Sequence, residues 1–153
     1  ATAYVDLNAR GYRMWPRASY MPQMSLEEAR STYTLSRYLE GVELTVPDDG
    51  TEVSAEIRFP DADFLAAGLL VDVPGFGTEE DGVEVKIESP RPIMDGWARA
   101  TALGGAVPAT QWDWPHPVTI PKGDRWVVRA RNPTGQAEVN LSVVLDGYRL
   151  GVK

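Results

Sequence analysis

Cysteine is absent from this 153-residue chain, and histidine occurs once, at His116. With no thiol there is no disulfide framework, no thiolate metal site and no cysteine nucleophile. Long apolar runs are missing too. Nothing approaches the roughly 18 to 20 residues that a membrane-spanning helix needs, and Ala1 to Arg10 lacks the charged-then-apolar layout of a secretory signal. The expectation is a soluble chain with no membrane partner. Positive charge is in short supply, with 15 Lys and Arg against 22 Asp and Glu for a net charge of -7. A body of that sign repels phosphates, which argues against a nucleic-acid partner. Asn and Gln are scarce, Arg outnumbers Lys and Pro is frequent, a balance that leans toward thermostable proteins.

What is present reads as one β domain. A hydrophobic share of 43% is enough for a single buried core, and the 14 Gly and 12 Pro are scattered as turn punctuation rather than gathered in a tract. Val42, Leu44 and Val46 alternate with polar neighbours up to Pro47-Asp48-Asp49-Gly50, and Val53, Ala55, Ile57 and Phe59 alternate after it, so the two runs read as a hairpin. Further strands are predicted over Leu69–Val73, Val83–Ile87, Trp97–Leu103, Val118–Ile120, Trp126–Arg131 and Val139–Leu145. About eight short strands separated by turns predict an all-β fold, an antiparallel, jelly-roll-like β-sandwich over residues 41–153 with no internal repeat.

Residues 1–40 read differently, as an irregular N-terminal arm. They hold Tyr4, Tyr12, Tyr20, Tyr33 and Tyr38 with Met14, Trp15, Met21 and Met24, yet show no sustained period of 2 or 3.6. One short helix is predicted where Ser25, with Glu28 three positions on, forms a capping box; Ser31 to Thr34 then returns to strand-favouring residues. Charge divides along the same line. Arg10, Arg13, Arg17, Arg30 and Arg37 face Asp6, Glu27 and Glu28 in residues 1–38, leaving the arm net basic and the body strongly acidic. Ordering an irregular segment costs about 1 to 2 kcal/mol per residue in backbone entropy, and buried aromatics, at about 150 to 250 Å² each, are what offset it. The arm is therefore expected to order against a surface, either its own domain or a neighbouring subunit. In the second case Tyr4, Tyr12, Trp15, Tyr20, Met21 and Met24 are the partner-binding anchors, with Arg13 and Arg17 pairing with partner carboxylates.

Catalytic patterns are weak. His116 lies in Trp112-Asp113-Trp114-Pro115-His116-Pro117, an extended loop stiffened by its prolines, and no nucleophile elbow accompanies a pairing with Asp113. The acidic groups Asp48/Asp49, Asp61/Asp63 and Glu79/Glu80/Asp81 sit at predicted turns, where carboxylates serve local hydrogen bonding, and none has the spacing of a calcium loop. The expectation is no enzyme, no metal site and no cofactor. Trp97, Trp112 and Trp114 leave one ligand reading open: an aromatic platform for sugar rings, as in a carbohydrate-binding module.

The C-terminal third runs Ile120-Pro121-Lys122-Gly123-Asp124, Trp126-Val127-Val128, Arg131-Asn132-Pro133-Thr134-Gly135 and Val139 to Leu145, closing on Asp146-Gly147-Tyr148-Arg149-Leu150. This cadence, over about thirty residues, resembles the virion β-sandwich proteins of tailed bacteriophages, most of all the capsid decoration (cement) proteins. The resemblance implies a viral structural protein on the outer capsid surface, a homotrimer that binds the major capsid protein and locks neighbouring capsid subunits together. It implies no catalytic residues.

Overall fold

The computed structural model describes residues 24–73, 82–90, 93–103, 112–133 and 138–153, apart from the side chains of Thr101, Trp112, Pro115 and His116. Its described elements are a helix α1 (Leu26–Thr32) and the strands β1 (Tyr33–Val46), β2 (Val53–Arg58), β3 (Asp63–Asp72), β4 (Glu84–Glu88), β5 (Ala98–Arg99), β6 (Trp112–Ile120), β7 (Arg125–Arg131) and β8 (Val139–Val152), with a 3-10 turn over Ala100–Leu103. Two four-stranded sheets form, β1-β8-β3-β6 and β2-β7-β4-β5. Every described pairing is antiparallel, as the sequence predicts for a β-sandwich.

The pairing is nested: β1 with β8, β2 with β7, β3 with β6 and β4 with β5. Alternation decides what each strand shows. In β7, Trp126, Val128 and Ala130 are buried between Arg125, Arg129 and Arg131, the period of two that separates a core face from a solvent face. In β8, Leu141, Val143 and Leu145 enter the core, so Ser142, Val144, Asp146, Tyr148 and Leu150 lie on the opposite side. The core is aliphatic with one aromatic pin. Phe59, just after β2, meets Phe64 of β3 at a ring separation of 5.2 Å and Trp126 of β7 at 6.4 Å, tying the two sheets together.

Several local expectations change in three dimensions. Residues 42–46 and 53–59 are not a hairpin: β1 pairs with β8 and β2 with β7, and the turn at Asp48–Gly50 carries the chain from one sheet to the other. Turn chemistry is the same in both cases, since Gly50 supplies the positive φ and Asp49 accepts from the Thr51 N–H at 2.9 Å. β1 begins at Tyr33, so residues 33–40 are in register with Arg37 opposite Tyr148 and Gly41 opposite Val144 rather than belonging to an irregular arm. β3 starts at Asp63, six residues before the predicted run, and the Trp97–Leu103 strand shrinks to Ala98–Arg99 before the 3-10 turn. β6 takes in the Trp112–Pro117 segment read as a loop. It lies at the sheet edge, and its prolines fall between Asp113 and Val118, where the register with β3 shifts.

Close backbone approach fixes one glycine. A bulge in β3 between Ala66 and Gly68 brings its chain against β8, and a Cβ on Gly147 would lie 2.0 Å from the Leu65 carbonyl oxygen. At Gly151 the nearest atom to such a Cβ is the Thr34 carbonyl oxygen at 3.4 Å. Gly147→Ala is expected to lose about 2 kcal/mol or more through forced backbone displacement, and Gly151→Ala to stay within about 0.5 kcal/mol of wild type. Trp126→Ala, which empties the aromatic pin, should lose about 3 to 5 kcal/mol. Denaturant titration of the three variants checks this order.

Candidate functional site

The two outer faces of the sandwich differ in chemistry. On the β2-β7-β4-β5 sheet, the arginines of β7 stand between acidic columns on β2 and β4. Arg129 donates to Glu88 at 3.0 Å and to Glu52 at 3.2 Å, Arg131 to Glu84 at 3.1 Å, and Arg125 to Glu56 at 3.3 Å. Arg58 also reaches Glu56, and Lys86 reaches Glu88. Hydrogen bonding from Arg129 holds the Glu88 carboxyl below the ordinary carboxylate range, and the carboxylates raise the Arg129 guanidinium in turn. This face satisfies its own charges.

The outer face of the β1-β8-β3-β6 sheet is partly roofed. Ser25 caps α1 by accepting the Glu28 N–H at 3.1 Å, as the capping box predicts, and Lys153 donates to the Arg30 and Ser31 carbonyls at the other end. With both ends tied, α1 lays Ala29 against Leu65 of β3 and Leu150 of β8, and Met24, Leu26, Tyr33 and Leu35 surround that contact. This small second core lies outside the sandwich, on the far side of the sheet from Phe64 and Ala66. Next to it, Arg37 donates through Nε to Asp146 at 2.8 Å, with a second bond from Nη2, and its guanidinium lies 5.6 Å from the Tyr148 ring. Asp146 is buried and Arg37 is exposed, so the carboxylate holds an arginine with its outer edge free to water.

At one corner of the core side, Arg149 stacks 3.7 Å over Tyr38 and lies 3.8 Å from Glu40 and 3.4 Å from Asp61. These residues help line a cavity of about 10 Å³ with Phe59, Pro60, Ala62 and Phe64, room for one water. Burial pushes the Glu40 carboxyl above the usual range, Arg149 opposes the shift and Asp61 adds to it. A shallower groove of about 330 Å³ opens at the end of the other sheet between Glu88, Ser89, Pro90, Gly123, Asp124, Arg125 and Val127.

Of the sequence-predicted anchors, Tyr4, Tyr12, Arg13, Trp15, Arg17, Tyr20 and Met21 lie outside the described residues. Met24 is half-buried against its own chain, in the cluster under α1. The tryptophans part company: the Trp97 ring sits 4.1 Å from the Arg131 guanidinium, whereas Trp114 packs against the sandwich core. Trp112 is placed by its backbone opposite Leu69, and its side chain, like that of His116, is outside the description. Asp113 is exposed on β6. Sequence reading missed the Arg37–Asp146 pair and the Arg149 corner. Their partners are 109 residues apart in the first case and 88 in the Arg149–Asp61 contact, a separation that local pattern cannot bridge. Among the described residues, no group of three or more His, Asp or Glu could hold a metal ion, and no helix is long and apolar enough to cross a membrane. Compared with known proteins, the chain matches no family model, no curated protein and no solved structure.

Of the shifted carboxyls, Glu88 and Glu40 pull stability in opposite directions with pH. Glu88 binds its proton less readily when folded, so its contribution is present above the ordinary value of 4.5 and lost as the pH falls through the lower folded value. Glu40 binds its proton more readily when folded, so stability is lost as the pH rises through its raised folded value. At neutral pH, Glu40→Gln should match or exceed wild type in thermal midpoint, and Glu88→Gln should fall below it. Both differences should shrink in acid, below the titration of each group. Midpoints recorded across that range test the pair, and a Glu40→Gln deficit at neutral pH contradicts the assignment.

Proposed function

We propose that this chain is a structural protein of a viral particle, a capsid decoration protein of a tailed bacteriophage. In this reading it binds the major capsid protein at the outer surface of the shell as a homotrimer. Its sandwich, with strands paired 1 to 8, 2 to 7, 3 to 6 and 4 to 5, is read as a jelly roll wound from one folded ribbon.

The observation that carries the reading is the position of α1. The helix adds nothing to the sandwich core; it is a clip on the outside of the β1-β8-β3-β6 sheet, capped by Ser25 and fastened by Lys153. A clip there fixes Met24, to which residues 1–23 are joined, and those residues carry Tyr4, Tyr12, Trp15 and Tyr20 with three arginines against one aspartate. A rigid body holding an aromatic, basic arm at a fixed point suits fastening to other subunits. An acidic body suits the outside of a shell better than contact with packaged DNA. The carbohydrate-binding alternative would use Trp97, which lies against Arg131, and Trp114, which packs against the core, together with Trp112, whose side chain is outside the description.

Aromatic anchors should dominate the energetics, since truncating a central buried aromatic commonly costs about 2 kcal/mol or more and a rim ion pair about 0 to 1. Deletion of residues 1–23 keeps Met24 and α1, so it should leave a β circular-dichroism spectrum and cooperative unfolding while abolishing co-sedimentation with capsid shells. Added salt alone should release the intact protein only modestly. A shortened protein that is folded and binds shells as well as the intact one rules out the arm as fastener.

A further inference from the structure

Beyond the part roofed by α1, the outer face of the β1-β8-β3-β6 sheet continues in three transverse rows. Leu39 stands opposite Asp146, Gly41 opposite Val144 and Leu70, and Glu43 opposite Ser142 and Asp72. Leu39 is 62% exposed, in a protein with few exposed large hydrophobics among the described residues. A Cβ at Gly41 would meet the Val144 Cγ2 at 2.9 Å, so the valine lies where a side chain on β1 would stand, and the middle row is flat and apolar. Glu43 and Asp72, on either side of Ser142, have no ion pair among the described residues, in contrast to the acidic columns of the opposite face. A flat apolar row bordered by two uncompensated carboxylates selects an extended segment that alternates large apolar and cationic side chains.

Such a segment exists in this chain. Arg13, Met14, Trp15 and Arg17 followed by Tyr20 and Met21 supply that chemistry, against the lone acidic group Asp6 in residues 1–23. The segment joins the domain at Met24, which packs on this same sheet face. Fully extended, 23 residues reach up to about 75 Å, well beyond the roughly 46 Å of a 14-residue strand, so the segment can pass to another subunit. We propose that the part of this face that the described residues leave open is the receptor for residues 1–23 of a second copy of the chain. Large apolar side chains lie over Leu39, Val144 and Leu70, and arginines pair with Glu43 and Asp72. The proposal rests on the homo-oligomeric reading above.

Freedom from cysteine makes the test direct in the full-length protein. Chains carrying Ser19→Cys are mixed and reassembled with chains carrying Thr45→Cys, on the proposed receptor face, or Ser54→Cys, on the ion-paired face, and treated with a short bis-maleimide. The expected result is an interchain product with Thr45→Cys at about tenfold the yield found with Ser54→Cys, reduced about tenfold again when the receptor chain also carries Leu39→Asp and Asp72→Arg. Equal yields on the two faces, or no interchain product, overturn the proposal. So does a product formed only within one chain when both cysteines are placed in the same molecule. Light scattering and shell co-sedimentation of the unsubstituted protein separate the two levels: an oligomer that binds shells without face-selective cross-linking overturns this receptor face alone. A monomer that ignores shells overturns the decoration reading and the receptor face with it.

Discussion

Pairing between β1 and β8 is the constraint on which the other pairings depend. It runs from Tyr33 opposite Val152 to Val46 opposite Val139, joining the two ends of the described domain over fourteen residues each. β8 also pairs with β3, so a single strand holds both the first strand and the centre of its sheet. Register here decides which side chains see water, because a slip of one residue exchanges the two faces. In the observed register Leu44, Val46, Leu141, Val143 and Leu145 enter the core while Arg37 meets Asp146 on the outside. Glycine enforces it: the bulged β3 lies too close to β8 for a side chain at Gly147. Closing a loop of this length precedes any reward from the contact, so the ladder joins distant parts of the chain at an entropic cost that only the assembled core offsets.

Around this frame the outer faces follow opposite physical strategies. The β7 arginines lie between Glu52, Glu56, Glu84 and Glu88, and the resulting ladder is complete within one chain. Each exposed pair is worth little alone, since solvent screens it; linking several through shared partners such as Arg129 and Glu56 restricts more side chains for less entropy. The opposite face uses apolar burial. α1 covers Leu65 and Leu150, the buried Asp146 orients Arg37, and among the described residues the covering stops before Leu39 and Val144. A face half closed by its own chain, adjoining an aromatic segment, differs in kind from one whose charges are already matched.

This asymmetry bears on the proposed role. A fastener needs a body that does not deform and a contact surface on which apolar anchors can be desolvated. The aromatic pin of Phe59, Phe64 and Trp126 and the two fourteen-residue strands supply the first requirement. Anchors on the arm together with the open rows of the β1-β8-β3-β6 sheet are the proposed answer to the second. The carboxylates of Glu40 and Asp61 stay close to Arg149 at the corner of the core.

Much of the β character was legible locally. Trp126, Val128 and Ala130 alternate in the sequence as they do in the fold, and Ser25 with Glu28 marks the start of α1. Pro121 to Asp124 reads as a turn and closes as one, with the Asp124 N–H donating to the Pro121 carbonyl at 3.1 Å and Gly123 at positive φ. Other features were not legible, because they depend on distant partners. The residues before Gly41 lack a clear period because, among the described residues, β1 there is buried on neither face by a continuous layer: Tyr38 leans on the core, Leu35 on the helix, and Leu39 is 62% exposed. The turn after Val46 looks the same whether the next strand pairs with β1 or crosses to the other sheet. By itself the sequence determined the period-two strands, the turns between them, the helix cap and the division between a net basic N-terminal stretch and an acidic remainder, all properties of neighbours along the chain. Only the tertiary structure decided that the first strand pairs with the last, that Arg37 finds Asp146 and that Trp97 and Trp114 go to different surroundings, because those outcomes depend on contacts between residues that the sequence leaves far apart.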